Sequence, residues 1–114
     1  MSFEMFNVLL RDFLDELRLQ FPDNADIGVM RSGLPALITL DNRKPARIFV
    51  SALLPHAALV ASKDPALFDA LTIGDIDFAA LWHATTDQAT RGAVFEHVHS
   101  LFVLGSHLLS SPGV

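Results

Sequence analysis

The chain has 114 residues, of which 51% are hydrophobic and 18% are charged, and its 8 basic and 13 acidic residues give a formal net charge of −5. This length suits one compact domain, and the high apolar content excludes an intrinsically disordered chain. The lack of cysteine excludes disulfides, zinc–thiolate sites and thiol catalysis. The acidic balance argues against nucleic-acid binding, which depends on neutralised phosphates. Apolar runs are too short for a membrane span, and the acidic start argues against a signal peptide.

The first predicted element is an amphipathic helix over residues 3–21. Its apolar residues recur at spacings of three and four, which places them on one face of a helix. Ser2 is suited to cap the start of this helix. Pro22 disfavours helical backbone at Phe21, so we expect the helix to end there.

Residues 23–44 allow two interpretations. A helix can begin at Asp23 or Asn24, although Pro35 interrupts the pattern. The alternative is a short hairpin near 37–50, with two strands around a polar loop. We favour the helix, because helical patterns precede and follow this segment.

The segment over residues 45–62 is predicted to be the central element. Apolar residues surround its helical wheel, as is typical of a buried helix. Pro45 suits the first position of a helix, and Pro55 is expected to kink or restart it.

Two short helices are predicted next. Asp64 and Pro65 form a start signal, an N-cap followed by proline, for a helix over 64–71. Asp77 is suited to cap a second helix over 77–83.

The last predicted helix opens at Thr86 or Asp87 and runs to about Leu109, and the tail over 110–114 is expected to fray. Together these elements predict one all-α domain over residues 1–114, a compact bundle of about five or six helices. The first, third and last helices are expected to form the core, with the short helices closing one end.

The sequence shows no catalytic motif. It has neither a Gly-x-Ser-x-Gly elbow nor a glycine-rich phosphate loop. His97 and His99 are two residues apart on a predicted helix, so they point in different directions and cannot share an ion. Asp77 is explained as a helix cap and Asp75 as a solvated neighbour. We therefore predict no catalytic residue, no metal and no cofactor; the alternative is an enzyme or metal protein that uses His83, His97 or Asp77.

Three surface features are candidates for binding. Some apolar residues fall off the main helical stripes and form a candidate protein-contact surface: Met5, Val8, Leu19, Val103 and Leu104. The basic cluster is explained either as a solvated loop or as a contact for an acidic partner or a phosphate, and it consists of Arg43, Lys44 and Arg47. The third feature is the acidic surface of residues 64–96.

Several apolar and turn positions follow a shared pattern: Leu54-Pro55-His56, Val60, Lys63-Asp64, Leu67-Phe68, Ile76-Asp77-Phe78, Leu81-Trp82, Thr90-Arg91, Val94-Phe95 and Leu101. With the opening segment from Phe6 to Phe21-Pro22, this pattern resembles small uncharacterised helical proteins of the large nucleocytoplasmic DNA viruses of eukaryotes. The chain departs at His56, where those proteins often carry an aromatic residue, and at Phe95, where they often carry tryptophan. The resemblance implies a virus-encoded helical protein with no catalytic residue to carry over, and it favours helix over hairpin around Pro55.

We expect a non-enzymatic protein that acts through protein–protein assembly, as a particle component in the virion or the host cytoplasm. A small domain with this apolar content leaves apolar surface for a partner to cover. The expected partner is a second copy or another viral protein, within an oligomer or larger assembly. The alternative is a regulatory protein that binds a host protein through the acidic surface of 64–96.

Overall fold

The computed structural model describes residues 2–69, 71–85 and 87–110. The helices are α1 (Phe3–Gln20), α2 (Ala25–Leu40), α3 (Lys44–Leu53), α4 (Ala57–Ala61), α5 (Phe78–Ala84) and α6 (Gln88–Ser110). Short 3₁₀ turns cover Leu54–His56 and Pro65–Asp69, and an antiparallel hairpin pairs β1 (Thr72–Ile73) with β2 (Ile76–Asp77). The predicted all-α class is confirmed. Ser110 ends α6, and the rest of the tail predicted to fray, 111–114, lies outside the described residues.

Helix α1 begins and ends as the sequence predicts, within one residue. The Oγ atom of Ser2 accepts a hydrogen bond from the backbone N–H of Met5 at 3.2 Å, which satisfies one of the free donors at the helix start. The helix ends at Gln20, immediately before Phe21.

Helix α2 settles the ambiguity of residues 23–44. The Oδ1 atom of Asn24 caps the helix by accepting from the N–H of Ile27 at 3.1 Å, and the helix continues to Leu40. The alternative of a hairpin near 37–50 is therefore wrong. Pro35 lies inside the helix, where it removes one backbone hydrogen bond. Burial of Ile27 and Leu34 in the core offsets that cost.

The predicted central helix over 45–62 is divided into three pieces. Helix α3 ends at Leu53, the 3₁₀ turn around Pro55 follows, and α4 is a single short turn. Proline disrupts the hydrogen bonding of a helix interior, so the break falls where the sequence places it. The prediction that this segment is buried on all sides is wrong, because the side chains of Ile48 and Leu54 are exposed.

The core lies between α1, α3 and α6, as predicted. The rings of Phe6 on α1 and Phe49 on α3 meet edge to face with centroids 6.0 Å apart, and both are buried. Gly105 of α6 lies against Phe6 and Val50, where a side chain would take up the space that these residues fill. The absence of a Cβ atom at this position therefore lets three helices approach closely.

A second group of aromatic rings closes the other end of the bundle. Phe68 stacks on Trp82 with ring centroids 4.3 Å apart and planes within 4°, and Phe95 meets Phe68 edge to face at 5.4 Å. Arg91 lies over the Trp82 ring at 5.0 Å, and its Nη2 donates to the carbonyl oxygen of Trp82 at 3.0 Å. The short elements between residues 65 and 84 are anchored by these contacts.

The hairpin over residues 72–77 occupies the connection between the two predicted short helices, and its last residue, Asp77, caps the second of them. Thr72 pairs with Asp77 and Ile73 pairs with Ile76 around the turn Gly74-Asp75. Gly74 has a φ of +60°, which glycine adopts without the strain that other residues meet. Residues 65–69 form a 3₁₀ turn rather than the predicted α-helix over 64–71. Strands of two residues are too short to show the alternation by which strands are recognised.

The start of α6 is held by the carboxylate of Asp87. Its Oδ2 accepts from the Thr90 hydroxyl at 2.7 Å, and its Oδ1 accepts from the backbone N–H of Ala89 at 3.3 Å. The hydrogen bond from the Thr90 side chain is the largest cause that lowers the pKa of Asp87 from its ordinary value of 3.8, followed by the Ala89 N–H. Two residues are predicted to open this helix. Asp87 does so through these hydrogen bonds, and Thr86 lies outside the described residues.

This cap predicts a pH dependence. Because the folded pKa of Asp87 is lowered, its contribution to stability is present above the ordinary pKa of 3.8 and is lost as the pH falls through the folded value. We expect Thr90→Val to raise the pKa of Asp87 towards 3.8, measured by NMR titration of the carboxyl carbon. Identical Asp87 titrations in the two proteins would show that the Thr90 hydrogen bond is not formed in solution.

Candidate functional site

The predicted protein-contact residues do not share one environment. Met5, Val8, Leu19 and Val103 are exposed, and Leu19 is 75% exposed. Leu104 is only 8% exposed and belongs to the core, so its assignment as a contact residue is wrong. Helix α6 packs against both α1 and α3, and this buries a wider face than one helical stripe.

The basic cluster is exposed, but two of its three members are engaged. Arg47 pairs with Asp41 at 2.9 Å, and the Arg43 guanidinium lies over the ring of Phe3 at 5.6 Å. Lys44 begins α3. Arg47 also lies in α3 and Arg43 directly precedes it, so the cluster is an exposed surface at the start of α3, and its charge is partly neutralised.

The histidines of the described chain do not converge. His97 stacks on the ring of Phe13 with centroids 5.2 Å apart, and its neighbour His99 is half-buried. Within residues 2–69, 71–85 and 87–110, no three side chains of histidine, aspartate or glutamate are placed to hold a metal ion. His83, His97 and Asp77, the residues of the enzyme alternative, form no such group.

Most acidic groups of residues 64–96 have structural roles. Asp64 accepts from the N–H of Ala66, Asp77 accepts from the N–H of Ala80 as the cap of α5, and Asp87 holds α6. Glu96 pairs with Lys63 at 3.1 Å. The remaining carboxylates of this segment belong to Asp69 and Asp75.

Asp75 lies at an open apolar cleft of about 260 Å³, which we name the α2–α3 cleft. One face of α2, the start of α3 and the β1–β2 turn surround it. Its lining residues are Leu10, Asp26, Val29, Met30, Gly33, Leu34, Leu37, Pro45, Ile48, Phe49, Ile73, Gly74 and Asp75. Val29 is 68% exposed and Ile48 is 38% exposed, so apolar surface at this cleft faces solvent.

Helical spacing brings the α2 residues of the cleft together. Positions 26, 29, 30, 33, 34 and 37 are separated by the three- and four-residue steps that place side chains on one face of a helix. This pattern is visible in the sequence once 25–40 is known to be helical. In the sequence alone, Pro35 and the alternative hairpin obscure this helix, and the other walls of the cleft come from distant segments, so the cleft is not predicted.

A second cleft of about 520 Å³ lies between α1 and α2. Two of its charged residues are already paired: Arg11 with Asp12 at 3.1 Å and Arg31 with Asp15 at 2.7 Å. The buried Asn7 donates from Nδ2 to the carbonyl oxygen of Asn42 at 2.9 Å. The α2–α3 cleft is more apolar and more enclosed, so it is the stronger candidate for a binding site.

The comparisons with protein-family models, curated proteins and solved structures give no match for this chain. None of the helices described between residues 2 and 110 combines the length and apolar character needed to cross a membrane. The α2–α3 cleft and its chemistry are therefore the basis for a functional proposal.

Proposed function

We propose that the protein is a non-catalytic binding module that holds an apolar segment of a partner protein in the α2–α3 cleft. The observation that supports this proposal is the open apolar cleft itself, with Val29 and Ile48 exposed at its edges. Small-molecule sites usually span about 300–1,000 Å³. The volume of about 260 Å³ falls below that range and suits a few side chains of a partner better than a nucleotide cofactor.

The binding energy would come from covering this apolar surface. Full burial of one aliphatic side chain contributes about 1.5–3 kcal/mol relative to exposure. A central apolar anchor surrounded by weaker contacts is the usual arrangement at protein interfaces. Met30 adds an unbranched, adaptable side chain to the lining, which can adjust to the shape of an occupant.

Leucine substitution of two glycines on α2 tests the proposal. A Cβ atom at Gly33 or at Gly28 meets no atom within 4 Å, so both positions accept a side chain. Gly33 lines the cleft, whereas Gly28 does not. We expect Gly33→Leu to fill the cleft and Gly28→Leu to leave it open. Both substitutions should raise the free energy of unfolding by up to about 0.8 kcal/mol, because leucine has the higher helix propensity.

The readout is affinity capture from the native source, with quantitative mass spectrometry of stoichiometric companions. We expect to find a companion protein that co-purifies with the wild type and with Gly28→Leu. The amount of this companion recovered with Gly33→Leu should be at least about tenfold lower. Equal retention by all three proteins, or no companion with any of them, would contradict binding in the cleft.

Self-association through the outer face of α1 is a second candidate function. Met5, Val8, Leu9 and Leu19 are exposed on this face. Arg11 and Asp12 lie midway between Met5 and Leu19. These two side chains already pair within one copy at 3.1 Å, so an antiparallel two-fold pair would bring two neutralised ion pairs together rather than two like charges.

A double substitution, Val8→Glu with Leu19→Glu, tests this second candidate. We expect the wild type to associate with rising concentration and the variant to stay monomeric with an unchanged circular dichroism spectrum. Light scattering after size exclusion measures the mass, and Leu40→Glu, at another exposed position, is the control. A wild type that stays monomeric throughout, or a variant that loses helicity, would argue against an assembly surface here.

Action within a virus particle or the host cytoplasm stays a prediction from the resemblance described above. The alternative of a regulatory protein that uses the acidic surface of 64–96 also stays a prediction. Its carboxylates without a structural role are those of Asp69 and Asp75 among the described residues, and Asp75 already belongs to the α2–α3 cleft.

A further inference from the structure

The α2–α3 cleft carries two carboxylates, Asp26 and Asp75, which reach it from different elements. Asp26 lies in the first turn of α2, and Asp75 lies in the turn between β1 and β2. Both residues are exposed and line the same cleft. Among the described residues, none of those that line the cleft is a lysine, arginine or histidine. The mouth of an otherwise apolar cleft is therefore negatively charged.

These carboxylates differ from most others in the described chain. Asp12, Asp15, Asp41 and Glu96 pair with cations, and Asp64, Asp77 and Asp87 accept backbone hydrogen bonds. Asp26 and Asp75 form neither an ion pair nor a hydrogen bond with any residue that the structure describes. The positive end of α2 favours Asp26, but it leaves Asp75 without a compensating charge.

We infer that the occupant of the α2–α3 cleft is a partner segment that carries a lysine or arginine beside its apolar side chains. This inference rests on the proposed function and names the chemistry of the partner. A lysine or arginine has an apolar stem and a charged head, which match an apolar lining and an acidic mouth. An acidic segment of the same shape would meet two like charges in a site from which it displaces water. Complementary charge therefore selects a basic apolar segment over an acidic one.

The experiment uses the whole protein and two peptides of about 12 residues, each with leucine on one helical face. The first peptide carries lysine at its polar positions, and the second carries glutamate. Both are titrated by NMR into the wild type, Gly33→Leu, and the double variant Asp26→Asn with Asp75→Asn. A second double variant, Asp23→Asn with Asp69→Asn, is the matched control. It removes the same charge from exposed sites outside the cleft, and Asp23 also lies near the start of α2.

We expect the lysine peptide to shift the amide signals of the cleft residues in the wild type and in the control variant. Exposed ion pairs are individually weak, so we expect loss of both cleft carboxylates to raise the Kd about three- to tenfold. Raising the salt concentration should weaken binding to the wild type more than to Asp26→Asn with Asp75→Asn. The glutamate peptide should bind the wild type at least about threefold more weakly than the lysine peptide.

The outcomes separate the inference from the proposed function. If both peptides bind the cleft equally and Gly33→Leu abolishes both interactions, the cleft is a binding site and the inferred basic character is wrong. The inference also fails if the control variant weakens the lysine peptide as much as the cleft variant does, because the net charge then accounts for the effect. If Gly33→Leu leaves binding unchanged, or neither peptide binds, the cleft is not the site, and both the inference and the proposed function are overturned.

Discussion

Replacing Phe68 with alanine is expected to lower the free energy of unfolding by about 3–5 kcal/mol. Phe68 is fully buried and lies between Trp82, Phe78 and Phe95. The substitution leaves a cavity and removes aromatic pair contacts, each of which contributes about 0.5–1.5 kcal/mol beyond burial. Domains of this size are stable by about 5–15 kcal/mol, so the loss is a large part of the total.

Urea unfolding, followed by circular dichroism and by tryptophan fluorescence, measures this loss. Trp82 is the single tryptophan of the chain and stacks on Phe68, so its emission reports directly on the substituted contact. We expect emission at longer wavelength in folded Phe68→Ala, because water gains access to the indole. Phe102→Ala is the control, since Phe102 is half-buried and outside the aromatic group. Equal destabilisation by both substitutions, without a change in emission, would contradict the packing described for Phe68.

Local chemistry made the helix boundaries predictable. Ser2, Asn24 and Asp77 each accept the backbone hydrogen bond that their position before a helix implies. Pro55 breaks the helical segment where proline is expected to do so. These features depend only on residues within one turn of each other, so the sequence contains all the information that they require.

Contacts between distant segments made the rest unpredictable. Leu104 falls off the main stripe of its helix, yet it is buried because α6 lies against two other helices at once. The α2–α3 cleft combines a face of α2 with Ile48 and with the turn at Asp75, and no spacing rule links these segments. A pattern along one helix identifies one wall of such a cleft, but the opposite walls depend on the tertiary packing.

Gly105 provides the sharpest test of that packing. A Cβ atom there would lie 2.8 Å from Cγ2 of Val50 and 3.0 Å from Cε2 of Phe6, both buried side chains. We expect Gly105→Leu to lower the free energy of unfolding by about 1–3 kcal/mol, because α6 must move away from α1 and α3 to admit the side chain. The expected loss is the net change, because it already includes the gain of about 0.8 kcal/mol from the higher helix propensity of leucine.

Gly92→Leu is the matched control for this prediction, because it lies on the same helix and its Cβ atom would meet nothing within 4 Å. The control gains helix propensity without a clash, so its free energy of unfolding should rise by up to about 0.8 kcal/mol. Both substitutions replace glycine with leucine. In urea unfolding, we nevertheless expect Gly105→Leu to lower the free energy of unfolding and Gly92→Leu to raise it. If Gly105→Leu is as stable as Gly92→Leu, then α6 does not approach Phe6 and Val50 as closely as described, and the core between α1, α3 and α6 is looser than this packing requires.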